Sequence, residues 1–133
     1  TVLYEGVIEA LLELKKRGYL LGVCTNKPEF LAEKLLKSLG IRDYFLAMLG
    51  ADTLSIRKPN PLHLWTTIDW MGGNRTKAIL IGDTATDYDT AKNANLPCIL
   101  VSFGPEGSGV EDMKPSAMLD AYFDLPDLID TIL

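Results

Sequence analysis

Ala78 to Ala94 reads AILIGDTATDYDTAKNA, and its two halves follow different periodicities. Ala78 to Gly82 is apolar or glycine without alternation, the pattern of a strand buried on both faces in a parallel sheet. A helical pattern begins almost at once, so the stretch predicts a strand, a tight turn and a helix. Asp83 falls at the carboxyl end of that strand, Asp87 one helical turn later and Asp89 just beyond. In open α/β sheets this edge is where ligands bind. Two carboxylates about 4 Å apart repel by roughly 4 kcal/mol at an effective dielectric near 20, and a cation offsets that cost. Mg2+ suits the place, since it takes one or two carboxylates together with waters and phosphate oxygens. The simpler alternative makes Asp83 or Asp87 the cap of the following helix.

Downstream, Cys98 to Val101 predicts another buried strand and Ser102 to Gly109 a glycine-rich loop. Met118 to Tyr122 predicts a brief edge strand, with Asp124 capping a terminal helix over Leu125 to Leu133. Upstream, Pro59 and Pro61 open a helix with Leu62, Trp65, Ile68 and Met71 on its apolar face, closed by Gly72 and Gly73. The lone histidine, His63, lies on the same helix and reads as a packing residue. Ala47 to Ala51 is a third sheet segment, preceded by a helical turn over Ile41 to Phe45. Before it, Pro28 opens a helix running through Phe30, Leu31, Leu35 and Leu39 to Gly40. Leu20 to Cys24 is a buried strand ending at Thr25, and Gly6 to Arg17 is a helix stopped by Gly18. Strand and helix alternate throughout. That order predicts an α/β fold: a doubly wound, mostly parallel sheet with helices on both faces and right-handed crossovers, in one domain over residues 1–133.

Hydrophobic residues make up 47% of the 133 and charged residues 23%, which places the chain among folded rather than disordered sequences. With 13 basic and 18 acidic side chains the net charge is −5, which argues against nucleic acid or an anionic membrane as the main partner. No apolar run approaches the roughly 18 residues of a membrane span. Cys24 and Cys98 both lie in apolar strand-like runs and read as reduced core residues. Together with the lack of a signal-peptide pattern, they lead us to expect a cytoplasmic protein. Composition carries no sign of an oligomeric state. Thr1 stands directly before a helix, and we expect the chain to be part of something longer.

Two further strand edges carry polar groups. Thr25 and Asn26 offer a hydroxyl and backbone N–H groups near the start of a helix, where free N–H groups and the helix dipole attract anions. Lys58 stands before Pro59 at another helix start, a poor place for a cation unless it serves a bound anion. Its neighbour Arg57 reads as solvated. A hydroxyl with N–H groups, a lysine and a metal-binding aspartate together suit a phosphoryl group whose oxygens need neutralising.

Val23-Cys24-Thr25-Asn26-Lys27-Pro28, Arg57-Lys58-Pro59-Asn60-Pro61 and Ile81-Gly82-Asp83-Thr84-Ala85-Thr86-Asp87 resemble motifs II, III and IV of the haloacid dehalogenase-like superfamily. The resemblance covers nearly the whole chain. The Thr-Asn-Lys-Pro form, and the entry Tyr4-Glu5-Gly6-Val7, are most similar to the phosphoglycolate phosphatase branch. The resemblance implies a Rossmann-like core that hydrolyses a small phosphorylated metabolite with Mg2+ through an aspartyl-phosphate intermediate. Thr25 and Asn26 would bind the phosphate and Lys58 would stabilise it and the nucleophile. Asp83 would ligate Mg2+, and Asp87 would support the metal site or orient Lys58.

The family's first motif, Asp-x-Asp-x-Thr after a strand, does not occur in the chain. Its aspartates are the nucleophile and the general acid and base. The family places that strand between the strand ending at Thr25 and the strand ending at Gly82. Without it the sheet should open and leave two rows of backbone groups unpaired, so we expect upstream residues carrying motif I and a helical cap. The loop from Asp52 to Pro59 is too short for a large cap after the third strand. Asn95 replaces a usual glycine, and Asn also tolerates the left-handed conformation. Readings from other classes are a phosphorylatable receiver-type signalling domain, against which the strand ending at Thr25 lacks a paired acidic pocket, and a non-catalytic fragment of the same fold.

Overall fold

The structure, a computed structural model, describes residues 3–104 and 113–133. Its elements follow in the order α1 (Val7–Lys16), β1 (Gly22–Cys24), α2 (Glu29–Ser38), β2 (Ala47–Leu49), α3 (Pro61–Trp70), β3 (Leu80–Gly82), α4 (Ala85–Asn93), β4 (Cys98–Val101), β5 (Ala117–Leu119) and α5 (Leu125–Ile132). Short 3-10 turns at Arg42–Tyr44 and Tyr122–Asp124 join two of them. All strand pairs are parallel, with Val23 opposite Met48, Ile81 opposite Ile99 and Leu100 opposite Met118. Among the described residues no helix is long and apolar enough to cross a membrane.

Two cores result from the alternation of side chains along β4. Cys98 and Leu100 point to one face, where Leu64 and Ile68 of α3 and Ala91 of α4 cover them. Ile99 and Val101 point to the other, against Ala10 and Leu14 of α1 and Leu125 and Ile129 of α5. A strand sandwiched in this way has no polar face to show, which is why its sequence has no alternation.

The strands are shorter than the apolar runs that announced them. Residues 20–21 and 78–79 precede the paired segments β1 and β3, and Gly50 and Ala51 leave β2 to meet the loop after β1. The last strand covers Ala117–Leu119 rather than Met118 to Tyr122, because Tyr122 turns into the 3-10 segment. Asp124 precedes α5 but accepts no capping hydrogen bond. Thr25 is not the cap of α2 either: that helix starts at Glu29, whose N–H is taken by Asp52 Oδ1 at 2.8 Å. Asn95 is left-handed, with φ of 58°. Of the predicted glycine-rich loop, residues 105–109 lie outside the described residues.

The sheet is open in the middle. β1 and β2 form one parallel pair, β3, β4 and β5 form another sheet, and no ladder joins β1 to β3. Between these two strands lies a cavity of about 690 Å3, walled by Val23 and Ile81 at its sides and by Leu14, Ile129 and Ile68 from the helices. In a doubly wound sheet the central strands should be the most buried. Here β2 and β4 are buried at every position, whereas β1 is half-buried throughout.

Candidate active site

Lys58 lies in the loop before α3, joined to Pro59 by a cis peptide bond. Its Nζ sits 2.5 Å from Asp87 Oδ1, and the two side chains are only 9% and 8% exposed. Asp87 Oδ2 accepts from the N–H of Asp83 (3.0 Å), the N–H of Thr84 (3.3 Å) and the Thr84 hydroxyl (3.1 Å). Burial alone would push this carboxyl up; Lys58 and the N–H groups outweigh it and hold Asp87 below the usual carboxylate range. The local cause is a capping box, in which Thr84 caps α4 and Asp87, three residues on, returns the bond. A Cβ on Gly82 would collide with the Asp87 carboxyl, so glycine is required where β3 ends. Both oxygens of Asp87 are thus engaged, and its place in the site is that of an anchor for Lys58.

The backbone of Lys58 is held as firmly as its ammonium. Asn26 Nδ2 donates to the Lys58 carbonyl at 3.0 Å, and the Lys58 N–H donates to Asn26 Oδ1 at 3.1 Å. From the far end of α4, Asn93 Nδ2 donates to the Pro59 carbonyl at 3.1 Å. Asn60 caps α3 by accepting from the Leu62 N–H at 2.9 Å. The Asn26 side chain is a strap between the loop after β1 and the loop before α3. What Asn26 offers an anion is its backbone N–H.

Thr25 follows β1, and its N–H donates to the Leu49 carbonyl at 2.9 Å. Its Oγ1 accepts from the Lys27 N–H at 3.1 Å, which leaves the hydroxyl proton to be donated elsewhere. Asp83 stands at the end of β3, and its carboxyl is pushed up by burial and then by the neighbouring Asp87 charge. The loop after β4 passes close over it, since a Cβ on Gly104 would lie 2.6 Å from Asp83 Cβ. With Lys58 committed to Asp87, the site holds one carboxylate more than its lysine can neutralise. A cation beside Asp83 fits that imbalance. Among the described residues no three His, Cys, Asp or Glu side chains converge into a metal cage, so Asp83 would be one donor among waters and ligand oxygens.

Thr25 and Asp83 thus follow β1 and β3, the strands on either side of the open cavity, and Lys58 is tied to the first neighbourhood through Asn26 and to the second through Asp87. Asp89 and Arg57 are exposed and do not join them. Burial pushes the Cys24 and Cys98 thiols up to about 11 and about 12, so both are protonated and neither is a nucleophile at neutral pH. Sequence reading did not find Asp52 or Asn93, which act across long loops. It did not find Thr84 as a cap either, although the Thr-x-x-Asp spacing of Thr84 and Asp87 was there to be read.

A family model described as haloacid dehalogenase-like hydrolase matches residues 1–101. A phosphoglycolate phosphatase from Mesorhizobium japonicum is 45% identical over 121 residues, covering 91% of this chain and 53% of that protein. One from Agrobacterium fabrum is 40% identical over 119 residues, covering 90% of this chain and 51% of the relative. Among solved structures, a predicted phosphoglycolate phosphatase from Haemophilus somnus superposes with a TM-score of 0.86 at 29% identity, over 95% of this chain and 56% of the other. The chain thus spans about half the length of the curated relatives it matches. Motif matches, parallel topology and these likenesses agree: the chain belongs to the haloacid dehalogenase-like hydrolase family.

Proposed function

We propose that this chain is the larger part of the core of a Mg2+-dependent phosphomonoester hydrolase acting through an aspartyl-phosphate, with 2-phosphoglycolate as the substrate by likeness to its relatives. The observation that carries the reading is that Lys58, held by Asp87 and by the Asn26 strap, stands between the loop of Thr25 after β1 and Asp83 after β3, two strands that flank the cavity and that no ladder joins. In this reading the Thr25 hydroxyl and the N–H groups that follow it hold the phosphoryl oxygens. The Lys58 ammonium, fixed by Asp87 and by the Asn26 strap, adds positive charge where negative charge develops. Asp83 would hold Mg2+, which when bound neutralises charge on the phosphoryl group and the nucleophile. A strand that precedes Thr1 in the longer protein would fill the cavity, pair with β1 and β3, and deliver the nucleophilic carboxylate to the same edge.

Phosphate release by the longer protein from a panel of small phosphomonoesters, with Mg2+ and with a chelator, tests the reading. The expected result is turnover with Mg2+ only, fastest on 2-phosphoglycolate. Turnover that survives the chelator would remove Mg2+ from the proposal, and failure to release phosphate from any ester would remove the activity.

A further inference from the structure

Beyond the groups that face the phosphate edge, one fully buried polar side chain is unexplained by packing. His63, on the first turn of α3, has no exposed surface, and its Nε2 lies 2.9 Å from the Gly50 carbonyl oxygen. A carbonyl only accepts, so Nε2 carries the proton. Nδ1 is buried without a hydrogen-bond partner among the described residues. A protonated ring would bury a charge and a second orphan N–H, and burial indeed pulls the ring below its ordinary value, with the nearby Lys58 adding to the effect. An apolar residue would avoid the orphan nitrogen, so the contact to Gly50 is what the imidazole supplies.

Gly50 is where β2 meets the loop after β1. A Cβ there would lie 2.5 Å from the Glu29 nitrogen and 2.8 Å from the Lys27 carbonyl oxygen. The adjacent Ala51 N–H donates to that same Lys27 carbonyl at 2.9 Å, and Asp52 takes the Glu29 N–H. The Thr25–Lys27 loop and the tail of β2 therefore move together. Lys58 sits on the other body, the loop leading into α3. Among the described residues, α3 packs on β1 and β2, and the hydrogen bonds that tie these bodies nearest to Lys58 are the Asn26 strap to the Lys58 backbone and His63 to Gly50.

We propose that His63 is a positioning residue that, through Gly50, sets the spacing between the Thr25–Lys27 loop and Lys58. This rests on the reading of that edge as a phosphate site. His63 touches no phosphate itself. It acts by keeping the two bodies at one separation, so that the Thr25 hydroxyl and the Lys58 ammonium can reach the same anion.

The test compares the 133-residue chain with His63→Gln, whose amide N–H can still reach Gly50, and His63→Leu, which fills the space without a donor. Amide hydrogen exchange and binding of inorganic phosphate, both followed by NMR, are the readouts. In the leucine variant, protection of the Lys58 and Ala51 N–H groups is expected to fall at least tenfold while the β4 amides keep theirs, and phosphate to bind at least tenfold more weakly. His63→Gln should restore both to within threefold. A folded leucine variant with unchanged protection overturns the proposal, as does equal loss in both variants, which would mark a packing role alone. If the leucine variant does not fold, His63→Met is read in the same way, together with the parent's His63 Nε2–H proton, which must be slow to exchange and shift as phosphate is added; a fast-exchanging or indifferent proton overturns the proposal. Should the parent bind no phosphate while the exchange pattern holds, the phosphate reading fails and the tie between the two loops stands.

Discussion

Lys58→Met is expected to lower the thermal midpoint of the chain by about 10 °C and to cut turnover of the longer protein at least about a hundredfold. The stability loss follows from the partner it leaves behind. Asp87 is 92% buried as a side chain by its 8% exposure, and removing one member of a buried ion pair costs about 3–5 kcal/mol because the other charge stays without compensation. The lower end applies, since three donors from Asp83 and Thr84 still face Asp87 Oδ2. A second substitution separates charge from shape. Asp87→Asn added to Lys58→Met removes the stranded charge while keeping an acceptor for the capping box, and should recover about half of the lost stability. Turnover should stay lost, because the ammonium is still missing. Differential scanning calorimetry and phosphate release measure the two effects. A double variant no more stable than the single one would mean that Asp87 was not the source of the penalty.

Asp83→Asn should act in the opposite direction on stability and equally severely on activity. In the metal-free chain the Asp83 carboxyl is raised by burial and by Asp87. Between the ordinary Asp value of about 3.9 and this raised value the folded chain binds more protons than the unfolded one, so stability falls as pH rises through that window. At neutral pH, Asp83 therefore works against the metal-free fold, and Asp83→Asn should melt at a higher temperature than the parent. The difference should vanish at about pH 3, below both values. Added Mg2+ should reverse the order, raising the midpoint of the parent by preferential binding to the folded state and leaving the variant unmoved. In the longer protein the same substitution should abolish Mg2+-dependent turnover. Equal Mg2+ stabilisation of parent and variant would take Asp83 out of the metal site.

Fold class was legible because β3 and β4 have apolar residues facing both ways, and the helices carry stripes closed by Gly18, Gly40 and Gly72. The latter are left-handed, with φ of 90°, 75° and 79°. Thr25 and Asp83 were legible because each follows an apolar run at the edge where parallel strands present ligands, and Lys58 because it stands before Pro59 at a helix start, a poor place for a cation. Strand length was not, since the apolar runs begin ahead of the paired segments: Leu21 and Ile79 precede β1 and β3, where they line the open cavity and pack on the core. The strap made by the Asn26 side chain was not legible, because its partner Lys58 is 32 positions away and nothing local marks it. Asn93 reaches across 34 positions, Asp52 across 23 and His63 across 13. Such bonds depend on loops that only the folded sheet brings together. The gap between β1 and β3, by contrast, was foreseeable once the motif strand was seen to be missing.

The most direct measurement is phosphate release from 2-phosphoglycolate with Mg2+ by residues 1–133 alone, and by the same residues joined behind a segment that carries an apolar strand ending in Asp-x-Asp-x-Thr. No turnover from residues 1–133 and Mg2+-dependent turnover from the joined chain is the predicted result, because the cavity between β1 and β3 would then hold the strand that brings the nucleophile. Robust turnover from residues 1–133 alone would contradict it, since a nucleophile would then have to lie among Thr25, Lys58, Asp83 and their neighbours.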